Sequence, residues 1–138
     1  MRAVAAACAV AALLAPIPAW AELNMEPGQW EAIMTVGGNE MPPDQKCYLQ
    51  KDIDNLDRFQ RGEGTAAGNP CTTSGYAAIG NTMSYTLTCT IKGNKTVSAV
   101  TMNYDRTRIT GEITGVDGTR SRLINTRIGD CSKSSFGD

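Results

Sequence analysis

Four of the five cysteines in this 138-residue chain, Cys47, Cys71, Cys89 and Cys131, lie beyond its first 21 residues. That even count limits what the chain can fold into. In an oxidising compartment, an even set of cysteines in a small domain reads as a framework of two disulfides. The chain also has no histidine. It therefore lacks the usual general base near neutral pH, the usual partner of a nucleophile and the commonest metal ligand. Serine triads, histidine-based zinc sites and Cys–His nucleophiles are excluded.

The first residues indicate which compartment applies. Arg2 gives a positive start, Ala3 to Leu14 form an apolar stretch, and Ala19-Trp20-Ala21 offers a small-x-small cleavage site. Together they read as a secretory signal over residues 1–21. The apolar run is too short to cross a bilayer and is interrupted by Pro16 and Pro18, so no retained membrane span is expected. Cys8 lies inside the apolar run and should leave with the signal. What remains, residues 22–138, has the size of one domain, with its ordered part expected at about 24–131. The expected location is periplasmic or secreted.

With Arg2 removed, 14 acidic residues stand against 12 basic ones. That balance argues against nucleic acid or an anionic membrane as an obligatory partner.

Strand patterns dominate the chain. From Gln29 to Val36 the apolar residues Trp30, Ala32, Met34 and Val36 alternate, the mark of a half-buried strand. A short segment at Gln45–Leu49 carries Cys47. Asp52–Phe59, with Ile53, Leu56 and Phe59 at every third position, is the one credible helix, with Asp52 as its N-cap. The glycine- and alanine-rich stretch 61–70 reads as a mobile loop.

The remainder is a meander. Placing Gly93-Asn94 in a tight turn, with Lys92 opposite Lys95, sets Leu87 by Val100, Tyr85 by Met102 and Met83 by Tyr104. A two-residue turn at Asp105-Arg106 carries the same apolar face through Ile109, Gly111 and Ile113. A slip of one residue would turn these side chains into water. A three-residue loop around Gly80 puts Cys71 opposite Cys89, which leaves Cys47 for Cys131. Chain-entropy arguments assign roughly 3 kcal/mol to the short loop and about 4.5 kcal/mol to the long one. The last strand, Thr119–Ile128, admits two registers, and the tail from Ser132 is expected to fray. The fold class that follows is mostly β: an antiparallel meander sheet or partial barrel of six to seven strands, one short helix and two disulfides.

Several landmarks share an order and spacing with a known group. They are Met25-Glu26-Pro27-Gly28-Gln29-Trp30-Glu31, Met41-Pro42-Pro43, Cys47-Tyr48-Leu49, Cys71 and Cys89 around Gly80-Asn81-Thr82, and Arg127-Ile128-Gly129-Asp130-Cys131. In these the chain resembles a family of small exported proteobacterial proteins catalogued as domain of unknown function 3617. The resemblance covers essentially all of 22–131 and implies an envelope location and a disulfide-bonded β-fold, but no activity. Such proteins often carry a basic pair before the final Gly-Asp-Cys. Here Asn125-Thr126-Arg127 stands instead, so no role attaches to that pair.

Candidate sites are few. Trp30 beside Glu31 suggests either a stacking residue next to a catalytic carboxylate or a core tryptophan with a solvated neighbour, and the pattern favours the second. Asp52, Asp54 and Asp57 fail the calcium-loop spacing, because Leu56 falls where an oxygen ligand is required. Arg120, Arg122 and Arg127 offer an acidic partner a basic stripe, or simply form the solvent face of an edge strand. No catalytic, metal or cofactor site emerges. The reading is therefore a non-enzymatic binding or protein-interaction module. Its partner would be an envelope protein, including an enzyme that it inhibits, or a small apolar ligand. The competing reading is a glycan hydrolase using Glu31 and a second carboxylate. The mature protein isolated from the cell envelope should have an intact mass that begins at Glu22, with no lipid on Cys8. A mass that retains Cys8 would contradict the signal assignment.

Overall fold

A computed structural model describes residues 23–63 and 70–137. The expected signal segment and residues 64–69 of the expected loop lie outside that range. The chain forms β1 (Gly28–Val36), β2 (Asn39–Glu40), β3 (Asp44–Tyr48), α1 (Gln50–Gln60), β4 (Cys71–Ile79), β5 (Thr82–Ile91), β6 (Asn94–Asp105), β7 (Arg108–Gly115) and β8 (Arg120–Gly129). The strands make one open antiparallel sheet in the order β2-β1-β8-β7-β6-β5-β4, with β3 also paired to β1. The two-residue β2 is the strand that the sequence did not signal.

Alternation puts one apolar face inward. Trp30, Met83, Val100, Met102, Tyr104 and Ile109 are buried there. Ile53 of α1 and the N-terminal residues Leu23 and Met25 complete the cluster. Trp30 is fully buried, and its indole N–H donates to the Glu26 carbonyl at 3.0 Å. The bend that brings Glu26 back over the tryptophan needs Gly28. At its φ of +152° a Cβ would stand 2.5 Å from the Gly129 carbonyl and 2.6 Å from Arg127 Nε.

Both expected disulfides are present, Cys71–Cys89 between β4 and β5, and Cys47–Cys131 between β3 and the chain beyond β8. The Cys71–Cys89 pairing is as expected, but its cause differs. The β4–β5 loop has two residues, Gly80-Asn81, and a bulge between Ser74 and Ala77 absorbs the third. The other hairpin registers differ from expectation by two residues. Ile91 pairs with Asn94, and Tyr85 with Val100. Asp105 pairs with Arg108, and Tyr104 with Ile109. The turns are thus Lys92-Gly93 and Arg106-Thr107. Lys92 and Gly93 have φ of 51° and 78°, as a type I′ hairpin turn requires. A shift of two leaves every side chain on its original face, so the inward set is the expected one.

The helix begins before Asp52. Leu49 is the N-cap, and Asp52, at the third helical position, accepts the Leu49 N–H at 2.8 Å. The aspartate satisfies a free helix donor from inside the first turn rather than from in front of it. β8, last in sequence, is an interior strand flanked by β7 and β1, not an edge. The tail also departs from expectation. Ser135 exchanges hydrogen bonds with Cys47, and Phe136 packs on Tyr48.

Trp30→Ala removes the largest fully buried side chain and should lower the unfolding free energy by about 3–5 kcal/mol in urea titrations. Trp30→Phe should cost less, and a wild-type midpoint for Trp30→Ala would contradict this packing.

Candidate functional site

The inner face is filled, so the sheet's chemistry is displayed on the other side. Residues two apart on each strand point outward, and the pairings align them in rungs. One rung runs Ser84, Thr101, Glu112, Arg122 and Thr35 across β5, β6, β7, β8 and β1. The next runs Thr82, Asn103, Thr110, Ile124 and Ile33. Arg120 pairs with Thr114 on a third. These three rungs are mostly hydroxyl-bearing, with Arg120, Arg122 and Glu112 as their charged groups and an exposed Ile124 among them.

Two shallow depressions meet there. The first, about 370 Å³, is floored by β6, β7 and β8 and lined by Thr101, Asn103, Thr110, Glu112 and Arg122, among others. The second, about 260 Å³, is bounded by Thr35, Gly38, Thr114, Arg120 and Ser121, and again by Glu112 and Arg122. Arg122 reaches Glu112 at 3.4 Å, with both side chains largely exposed. An ion pair so open to water contributes only about 0.2–1 kcal/mol, so either member can exchange its partner cheaply. Among the described residues Arg120 makes no ion pair.

The residues singled out in the sequence divide three ways. Arg120 and Arg122 reach the outer face together. Glu31 is on the same face, where its carboxylate accepts from Gln45 Nε2 at 3.1 Å. Trp30 is turned away from both, into the core. Arg127 is not part of the stripe: it donates from Nε to the Pro27 carbonyl at 2.9 Å and pairs with Asp130 and Glu26. It clamps the N-terminal bend to the end of β8. The acidic helix residues are also occupied locally, Asp54 by Gln50 and Asp57 by Arg61 at 3.0 Å. Glu112 escaped the sequence reading, because a single acid on a short strand carries no spacing signal. Only its pairing opposite Arg122 gives it a setting.

A second polar group is sealed under the helix. Gln60 is 2% exposed and its amide nitrogen donates to the Tyr104 hydroxyl. The Tyr85 phenol faces the same amide. Gln60 Oε1 has no partner among the described residues. Burial raises the pKa of both phenols above the usual 10.0, with the Gln60 amide partly opposing it. Tyr48 is raised too, by burial first and then by Asp44 and Asp52.

An open antiparallel sheet carrying one helix, stapled by two disulfides, defines a small disulfide-bonded β-domain with one packed and one displayed face. The chain belongs to the family described as protein of unknown function (DUF3617), whose model matches residues 25–131. No curated relative and no solved structure matches it.

The raised tyrosines have a consequence for stability. A group whose pKa is higher folded than unfolded stabilises fully below its unfolded value, and that contribution is lost as pH rises through the folded one. The melting temperature should therefore fall progressively above about pH 10, and Tyr104→Phe should reduce the slope. An identical alkaline slope in Tyr104→Phe would contradict the assignment.

Proposed function

We propose that the protein is an exported, non-enzymatic binding module that receives an acidic segment of an envelope protein across the outer face of its sheet. The observation that carries this reading is the meeting of two depressions at Arg122, beside an Arg120 that makes no ion pair among the described residues. A carboxylate offered by a partner would take the place of Glu112 against Arg122 and give Arg120 a counter-charge. The surrounding threonines and Asn103 supply hydrogen-bonding groups without a deep pocket, which suits a flat protein surface better than an enclosed small ligand. Of the aligned apolar residues that a small apolar ligand would need, Met83, Val100, Met102, Tyr104 and Ile109 are buried core, and Tyr85 and Leu87 pack against it.

Export is supported by the two disulfides, which persist outside reducing compartments. An inhibitor of an envelope enzyme is one form that such a module takes. The hydrolase alternative needs a second carboxylate facing Glu31, and the group bonded to Glu31 is the Gln45 amide.

The test is capture from envelope extract by the immobilised mature protein at low and moderate salt. The wild type should retain a partner that elutes as salt rises. Arg120→Glu/Arg122→Glu should lose at least 90% of it, on the order of a tenfold affinity change, while melting at the wild-type temperature. Equal capture by the double variant, or no partner at all, would refute the proposal.

A further inference from the structure

The free edge of β3 is covered by the chain's own tail. In an antiparallel edge strand, alternate residues turn their N–H and C=O away from the sheet. At Cys47 both outward groups are taken by one residue: the Cys47 N–H donates to Ser135 Oγ at 2.7 Å, and the Ser135 N–H donates to the Cys47 carbonyl at 3.1 Å. Next to this, the Phe136 ring sits on Tyr48 with centroids 4.8 Å apart and planes tilted by 50°. Lys51 Nζ, from the first turn of α1, donates to the Gly137 carbonyl. The Cys47–Cys131 bond delivers the tail to this place, since it anchors the residue four positions before Ser135 to the residue that Ser135 contacts.

We propose that this edge is a peptide-docking site whose resident occupant is a displaceable imitation of the real one. The partner is an extended segment of another protein that presents a small polar residue followed by an aromatic one. Three observations carry the proposal. The tail shows which chemistry the site accepts: a backbone N–H and a hydroxyl for Cys47, a ring for Tyr48 and a carbonyl for Lys51. The occupant is held lightly, because Phe136 keeps 55% of its surface exposed while in place. The site is also longer than the tail uses. Gln45, two residues before Cys47, turns its N–H and C=O the same way, and neither bonds to the tail among the described residues. A longer strand would gain those two bonds by β-augmentation, where main-chain pairing gives affinity and side-chain pockets give selectivity. This surface lies at the sheet edge, away from Arg120 and Arg122, so the two proposals fail independently.

The test uses the full mature chain with Ser135→Pro/Phe136→Ala, which removes the N–H, the hydroxyl and the ring without shortening the protein. The probe is a labelled peptide of residues 132–137, Ser-Lys-Ser-Ser-Phe-Gly, followed by fluorescence anisotropy. The tail-detached variant should bind it saturably and at least tenfold more tightly than wild type, whose own tail competes. Adding Tyr48→Ala, or replacing the peptide phenylalanine by alanine, should weaken binding at least fivefold. In the free proteins, hydrogen exchange at the Cys47 amide should be faster in the tail-detached variant. No binding by a variant with both disulfides intact would overturn the proposal. So would equal binding by wild type, or a dimer on light scattering that excludes the peptide, which would mean that the edge recruits another copy of β3.

Discussion

The bond between Cys47 and Cys131 crosses a strand. β1 lies between β3 and β8, with Gln29 opposite Cys47 on one side and Gly129 on the other. The disulfide therefore closes the outermost strand over β1 to the end of the interior strand β8. Three positions follow from that closure. β1 is held where Trp30 enters the core. The helix, which starts directly after β3, is set above the inner face. The tail is brought back to the edge of β3. Burial on one face fixes which way each side chain points but leaves slips of two residues open, and the closure removes that freedom.

Much of the sheet was legible because a period of two is a strong signal. Trp30, Ala32 and Met34 on β1, and Met83 to Ile109 across the meander, share the face that the alternation assigns them. The hairpin registers were legible only to within two residues, for a physical reason. A slip of two keeps every side chain on its own side, so burial cannot distinguish the pairings, and the turn geometry decides. Lys92 and Arg106 take up positive φ, a choice that side-chain hydrophobicity does not reveal. Cys71 met Cys89 although the loop length was wrong, because a bulge cancelled the difference. Asp52 was recognised as a helix-start residue but not in its actual position, since a carboxylate serves a helix start either as the N-cap or, as here, from the third position by accepting the N-cap N–H.

The sheet order was not legible. Placing β8 between β7 and β1 depends on contacts between the two ends of the chain, which no local pattern encodes. Alternation along β8 separates the arginines: Arg120 and Arg122 point to the displayed face and Arg127 to the other, and the pairing with β1 puts Arg127 beside the Pro27 carbonyl of the N-terminal bend. The pairing with β7 gives Glu112 its counterpart. The candidate site is thus a product of topology more than of motif, as expected for a fold in which function sits on an otherwise plain surface. The division of labour between the faces is simple. Apolar packing and the Gln60–Tyr104 contact hold the inner face, and the outer face is left polar, shallow and weakly self-paired.

Digestion of the native, unreduced protein after blocking free thiols, followed by mass spectrometry of the linked peptides, tests the central claim most directly. The account predicts two crosslinked pairs, Cys47 with Cys131 and Cys71 with Cys89, and none of these four thiols blocked. Recovery of Cys47 joined to Cys71 or Cys89, or of four blocked thiols, would contradict it.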